Sequence, residues 1–289
     1  MIYSITLSRW SSPMPVRNDL TDALFNKIAA YVYQVCGINL TERKRELVNT
    51  RIGKVIRDKG YAGFKDYYEH LVEDTTGEAV SELMNAISTN LTSFFRESKH
   101  FDYLEKQYFP ALRTSAARTR NFHFRAWSAG CSTGAEAYTL SMVLLNALPE
   151  VTGWNARILA TDIDTNVLQT GSNGIYGKDV VRQVPPLYLS KYFQRSPDGQ
   201  RYRVKRLLRE LVTFRYLNLI EPFPLRAKFD IIFCRNVMIY FDKMTQQNLV
   251  NRFTQILKPG GCLFIGHSES LSSLTHQLAY VQPTIYQKK

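Results

Sequence analysis

The sequence predicts an all-helical N-terminal domain followed by an α/β domain of Rossmann-like architecture that carries a small inserted β-subdomain. Three observations predict this. From Asp19 to about Lys59, apolar residues recur at three- and four-residue spacing, the period of amphipathic helices. From Asn121 onward, short apolar runs alternate with helical stretches, the pattern of a parallel, doubly wound sheet. Between residues 171 and 212 the alternation fails. Short β-like pieces such as Tyr202-Arg203-Val204-Lys205-Arg206 appear there, with Pro185, Pro186, Pro197 and Gly199 between them.

Each element follows in order. Residues 1–16, with Pro13 and Pro15, read as a loose tail. The helical domain spans 17–88. Its first helix has Leu24, Ile28, Tyr31, Val32 and Val35 on one stripe and ends at Gly37. Thr41 opens a second helix that buries Leu47, Val48, Ile52, Val55 and Ile56, and Gly60 closes it. Shorter helices are expected near 63–73, 78–88 and 97–107. Residues 89–120 read as a linker able to close over a ligand. The α/β domain spans 121–289. Its strands are expected in FHFRAWSAG, ARILATDID, VTFRYLNLI, KFDIIFCRN and GCLFIGHSE. Helices are expected over 133–148 and in MTQQNLVNRFTQIL, the latter stopped by Pro259-Gly260-Gly261.

At 289 residues, 45% hydrophobic and 21% charged, the chain can bury a core without staples. Four dispersed cysteines with no CxxC pair argue against a zinc module or a disulfide framework and fit a reducing cytosol. The first fifteen residues lack the pattern of a signal peptide. No run of about 18 apolar residues exists, so no membrane insertion is expected. The net charge of +12 is patchy. Residues 41–60 carry +4, 113–125 carry +4 and 191–215 carry +6, leaving the remainder at −2. A basic balance of this kind suits nucleic acid, an anionic membrane or an acidic protein partner, and solvated helix faces are the plain alternative.

The first strand runs into Ser128-Ala129-Gly130-Cys131-Ser132-Thr133-Gly134-Ala135-Glu136. Small residues there let a ligand approach the backbone at the carboxyl end of the strand. The turn is not GxGxxG, so the dinucleotide fingerprint is missing. A second strand ends in Asp162-Ile163-Asp164, where an acid can accept hydrogen bonds from ribose hydroxyls. This arrangement resembles the binding half of an S-adenosylmethionine-dependent methyltransferase; a generic Rossmann-like turn is the alternative. Asn218-Leu219 follows the third strand. Arg235-Asn236 and then Tyr240 follow the fourth, placing polar groups where cofactor and substrate would meet. Asn236 could equally cap the next helix. The Asn/Asp-Pro-Pro-aromatic motif of nucleic-acid N6-adenine methyltransferases is missing at Arg235-Asn236-Val237-Met238. Upstream, Thr89-Asn90-Leu91-Thr92-Ser93-Phe94-Phe95-Arg96 joins the two regions. Arg96 offers a fork of donors for a carboxylate, or is a surface arginine after two core aromatics.

Five blocks in this order, TNLTSFFRE, WSAGCSTGAEAYTL, ATDIDTNVL, FDIIFCRNVMIYFDK and LKPGGCLFIGHSESL, resemble the chemotaxis receptor methyltransferase family, CheR. The resemblance runs from about residue 20 to the C-terminus. It implies a helical N-terminal domain, a methyltransferase domain bearing a β-subdomain, and methyl transfer from S-adenosyl-L-methionine to receptor glutamates. Position by position, it implies cofactor contacts at Asn90, Thr92, Arg96, Glu136, Asp162, Asn218, Leu219, Arg235 and Asn236. It implies a role near the methyl-transfer centre for Arg96 and Tyr240. The family's turn is closer to STGEEPYS. Ala135 and Ala137 depart from it here, while Glu136 is kept.

A glutamate carboxylate is already ionised at neutral pH, so the transfer needs no general base and no metal; alignment and exclusion of water remain as the site's work. The resemblance names a methyl-accepting chemoreceptor as partner and a cytoplasmic location, with no nucleic acid expected. Arg51, Lys54 and Arg57 recur every three residues and could align against acidic receptor helices. The basic patch at 201–209 falls in the β-subdomain, which the resemblance implies as a further place for the receptor to dock. His267 sits at a strand end and reads as a structural hydrogen-bonding residue. Cys131 and Cys234 read as small apolar residues. Two other readings stay open: a methyltransferase acting on RNA or a small molecule, and a catalytically silent receptor-binding adaptor.

Overall fold

The computed structural model describes residues 20–289; the tail expected over residues 1–16 lies outside them. Two compact units divide the chain. One holds residues up to Ala29 together with Thr41–Ile87, and the other holds Ala30–Leu40 together with Ser88–Lys289.

The first unit takes the start of α1 (Asp22–Cys36), then α2 (Arg45–Lys59), α3 (Phe64–Glu73) and α4 (Glu78–Ile87). On α2 the buried residues are Val48, Ile52, Gly53 and Ile56, a four-residue stripe; Leu47 and Val55 flank it half-buried. Thr41 precedes a short 3-10 turn (Glu42–Lys44) and makes no side-chain cap, so α2 starts later than expected. Arg45 pairs with Asp22 at 2.8 Å and Glu42 at 3.0 Å. Arg51 is turned inward. Its Nη1 donates to the Ile87 carbonyl at 2.9 Å, satisfying an orphan group at the end of α4. Lys54 and Arg57 remain exposed on the same helix.

The second unit contains the end of α1 and the rest of the chain. Residues 89–120, expected as a linker, hold α5 (Lys99–Tyr103), a π turn (Leu104–Tyr108) and α6 (Phe109–Thr119). Then come β1 (His123–Ala129), α7 (Ala135–Ala147), β2 (Asn155–Asp162) and α8 (Thr165–Asn173). The insertion follows, with β3 (Ile175–Gly177), α9 (Pro186–Tyr192), β4 (Phe193–Arg195), β5 (Arg201–Val204) and α10 (Arg206–Arg209). Its strands form a three-stranded antiparallel sheet in the order β3-β5-β4. The chain ends with β6 (Val212–Tyr216), β7 (Phe229–Cys234), α11 (Lys243–Ile256), β8 (Leu257–Ile265), β9 (Leu278–Gln282) and β10 (Ile285–Lys288).

The main sheet has the order β6-β2-β1-β7-β8-β10-β9. Five strands are parallel, as expected. The last two are not: β10 inserts antiparallel between β8 and β9, so the sheet is mixed. Sequence reading missed this hairpin because its mostly half-buried or exposed residues form no long continuous apolar run. Pro259-Gly260-Gly261 also differs from expectation. The helix ends at Ile256, and this triplet lies in β8, where the pairing with β7 shifts register. Both faces of the sheet are covered. Phe124, Ala126, Ile231, Phe233, Cys262 and Phe264 point into one core. Trp127, Ala129, Ile232, Cys234, Leu263 and Ile265 point into the other, which α11 covers with Leu249, Val250 and Phe253. That two-sided burial is why these strands read as continuous apolar runs.

Candidate functional site

The chain leaves β1 for β2 and β6 on one side, then returns to place β7 against the other side of β1. Such a reversal opens a crevice at the carboxyl ends of the strands. The predicted site residues are built around it.

The turn after β1 is tied down from β2. Gly130 and Cys131 both donate to the Thr161 carbonyl, at 2.8 and 2.9 Å. Ser132 N donates to Asp162 Oδ2 at 2.8 Å. Gly130 has φ +81°, and a Cβ on it would lie 2.4 Å from Val237 Cγ2. Gly134 has φ +83°, and a Cβ there would lie 2.7 Å from Phe214. Both positions therefore need glycine, for backbone and for space. Ala135 and Ala137, the departures from the family turn, are fully buried and leave α7 intact.

Glu136 lies in the first turn of α7. It accepts from Ser128 Oγ at 2.6 Å and pairs with Arg235 Nη1 at 3.1 Å. Arg235, at the end of β7, is buried. Its Nη2 also pairs with Glu97 Oε2 at 3.0 Å and donates to the Arg96 carbonyl at 2.6 Å. One guanidinium thus holds two carboxylates and a loop carbonyl, the fork geometry that distinguishes arginine from lysine. Burial pushes the Glu136 carboxyl above its ordinary range, against the pull of Arg235. Burial acts on Glu97 in the same sense, but Arg235 and His267 outweigh it and hold that carboxyl below its ordinary range. Desolvation likewise pushes Asp162 up.

The segment before α5 is fastened to this turn. Asp164 Oδ1 caps α8, while Oδ2 accepts from Ser88 Oγ at 2.8 Å and Asn90 Nδ2 at 2.6 Å. Ser132 Oγ donates to the Asn90 carbonyl at 2.9 Å. Thr92 is half-buried. Arg96 folds back, its Nη1 donating to the Leu91 carbonyl at 2.7 Å. Phe95 and Glu97 on either side of it both have φ +55°, a left-handed conformation that non-glycine residues adopt only under constraint.

The loop after β7 has its own anchor, which sequence reading missed. Glu269 is buried and accepts from Gly266 N (2.6 Å), Val237 N (2.9 Å), Asn236 N (3.0 Å) and Ile239 N (3.3 Å). Burial pushes its carboxyl up while these amides pull it down. This holds Asn236 at φ +59°. Tyr240 ends the short turn Met238–Tyr240, and its carbonyl accepts from Asn39 N at 2.9 Å.

Asn90, Glu136, Asp162 and Arg235 are therefore joined in hydrogen-bonded networks at the crevice. The Asn218 side chain is committed elsewhere: Nδ2 donates to the Val35 carbonyl at 2.7 Å and Glu221 at 3.0 Å. Leu219 is buried, and its carbonyl accepts from Arg252. The His267 backbone N donates to Glu97 Oε1 at 3.3 Å. Cys131 and Cys234 are buried free thiols. Glu97 and Glu269 carried no sequence signal of their own, because each acts through a partner distant in the chain; Asp164, read as one of the strand-ending acids, caps α8 and holds Ser88 and Asn90 instead.

One half-buried carboxylate at the end of β2 and another in the first turn of α7 stand beside a turn that admits no Cβ, at the end of an open α/β sheet where ligands bind. Fold and site together define an α/β methyltransferase that binds S-adenosyl-L-methionine. Residues 90–287 match the CheR methyltransferase SAM binding domain, and residues 23–88 match the CheR methyltransferase all-alpha domain. The chemotaxis protein methyltransferase of Borreliella burgdorferi is 40% identical over 93% of this chain and 95% of its own length. That of Escherichia coli is 38% identical over 94% of this chain and 93% of its own. Chemotaxis protein methyltransferase 2 of Pseudomonas aeruginosa is 37% identical over 96% and 98%. The chain belongs to the CheR family of S-adenosyl-L-methionine-dependent chemotaxis methyltransferases.

Proposed function

We propose that the protein is a cytoplasmic protein-glutamate O-methyltransferase that forms methyl esters on the signalling helices of chemoreceptors. The observation that carries this reading is the Ser128–Glu136–Arg235–Glu97 chain of hydrogen bonds at the crevice between β1 and β7. When bound, S-adenosyl-L-methionine supplies the methyl group and leaves as S-adenosylhomocysteine. Glu136 and Asp162 accept from the cofactor's hydroxyl and amino groups. Asn90, Thr92 and Arg96 close over it, and Asn218, Leu219 and Asn236 line the neighbouring strand ends. Arg235 acts chiefly by positioning Glu136 and the Arg96 carbonyl, because its guanidinium is already committed to them. The receptor carboxylate arrives ionised, so the chain's work is orientation and exclusion of water. Tyr240 is the group assigned to orient that carboxylate. Arg96 assists; a tight ion pair would quench the oxygen's nucleophilicity.

The exposed Lys54 and Arg57 on α2 are assigned to an acidic receptor surface, with Arg51 bracing the helix from behind. The deciding experiment incubates the protein with tritiated S-adenosyl-L-methionine and either a receptor cytoplasmic domain or RNA, then tests for base-labile methanol. Receptor-dependent methanol release is expected. Label on RNA, label stable to base, or no label at all overturns the reading.

A further inference from the structure

We propose that Glu97, His100 and His267 form a binding site for a transition-metal dication of the zinc class. The ligand atoms of these three residues lie within 4.8 Å of one another, the one such cluster among the described residues. Glu97 Oε2 is 3.8 Å from His100 Nδ1 and 3.9 Å from His267 Nε2. Around a zinc ion with bonds of about 2.0–2.2 Å, tetrahedral ligands stand roughly 3.3 Å apart, so a small contraction closes the site.

The state of His100 gives the second, independent observation. Thr284 Oγ1 donates to the Pro283 carbonyl at 2.6 Å. It therefore accepts from His100 Nε2, also 2.6 Å away. That fixes the proton on Nε2 and leaves a bare lone pair on Nδ1. His100 is 1% exposed, and Nδ1 has no hydrogen-bond partner. An unfilled acceptor in such a place is costly. No protein group fills it. A metal ion would.

The surroundings fit the same reading. Two imidazole nitrogens and one carboxylate oxygen are a common zinc donor set, with a fourth position left open. The hydrogen bond from Nε2 to Thr284 is the outer-shell contact that orients a metal-bound histidine. Phe264 packs edge-on against the His100 ring at 5.5 Å and fixes its plane. The His267 side chain is 51% exposed, which supplies both an entry path and the movement needed for closure. Arg235 opposes a cation, but Glu97 and Glu136 flank it, so two carboxylates face the one guanidinium.

The test is calorimetric titration of the full chain with Zn²⁺, paired with the visible spectrum of Co²⁺ as a probe. One site is expected, with the absorption of four-coordinate cobalt. His267→Ala is a surface change that leaves the core intact, and it should weaken binding at least about tenfold, the loss typical of disturbing a metal's ligand shell. Zinc should also move the ¹⁵N resonances of both His100 and His267, a readout that needs no variant. Failure to bind at sub-millimolar free metal overturns the proposal. So does equal affinity in His267→Ala, or shifts confined to other histidines.

Discussion

Replacing Gly130 by alanine tests whether the turn after β1 is shaped by steric necessity. The left-handed backbone costs a non-glycine residue about 1–2 kcal/mol. The added Cβ would sit 2.4 Å from Val237 Cγ2, against a β-branched side chain with few alternative rotamers. Overpacking of this kind costs about 1–3 kcal/mol. The stiffer unfolded chain returns about 0.4–1 kcal/mol. The net loss should be about 1–5 kcal/mol. Urea unfolding followed by the fluorescence of buried Trp127 measures it. Val237→Ala in the same background separates the two causes. It removes the overlap but leaves φ at +81°. The double variant should therefore be more stable than the sum of the singles by about 1–3 kcal/mol. Additivity within about 0.5 kcal/mol would refute the clash, and with it the claim that Val237 shapes this turn.

Four further outcomes are expected. Arg235→Met strands Glu97 and Glu136 without their cation and should cost about 3–5 kcal/mol by denaturant unfolding; a loss below about 1 kcal/mol contradicts the network. Glu269→Gln puts an amide N–H₂ against backbone donors, so at least one charge-assisted bond, about 1.5–3 kcal/mol, should disappear, with hydrogen exchange rising first at Asn236 and Val237. The Asp242 carboxyl accepts from Tyr33 Oη at 2.6 Å and Thr245 N at 2.8 Å, which hold it below its ordinary range. Its contribution is present above the unfolded value of about 3.9 and lost as pH falls through the lower folded value, so a ¹³C titration should show a midpoint under about 3.9. Tyr240→Phe should slow receptor methylation about 10- to 100-fold at unchanged S-adenosylhomocysteine affinity, Arg96→Ala should slow it as much and weaken S-adenosylhomocysteine binding as well, and normal turnover of both removes their assignment.

Much of the architecture was legible because burial leaves a periodic trace. Phe229-Asp230-Ile231-Ile232-Phe233-Cys234 is covered on both faces, so it reads as one unbroken strand. The α2 stripe reads from its four-residue spacing. The β9–β10 hairpin was not legible, since only Leu278, Ile285 and Tyr286 of its nine strand residues are buried. Of the site, Glu136, Asp162 and Arg235 were visible because they fall at strand or helix ends next to small-residue turns. Arg51 was read with Lys54 and Arg57 as one cationic, receptor-facing stripe; that the end of α4 offers it a carbonyl was not legible, because spacing alone does not show it.

The sequence by itself determined which strands are buried, where the glycine turn must lie and which end of the sheet gathers acids and amides. These follow from local periodicity and from the conformations each residue type can adopt. Only the tertiary structure decided that Arg235 joins Glu97 to Glu136, that Glu269 gathers the amides of two loops, and that His100 is left with a bare nitrogen beside Glu97. The bonds behind them, Arg235 to Glu97 and Glu136, Glu269 to Asn236 and His100 to Thr284, join residues separated by roughly thirty to nearly two hundred positions, and what joins them is close approach in a desolvated crevice, where an unpaired charge is costly.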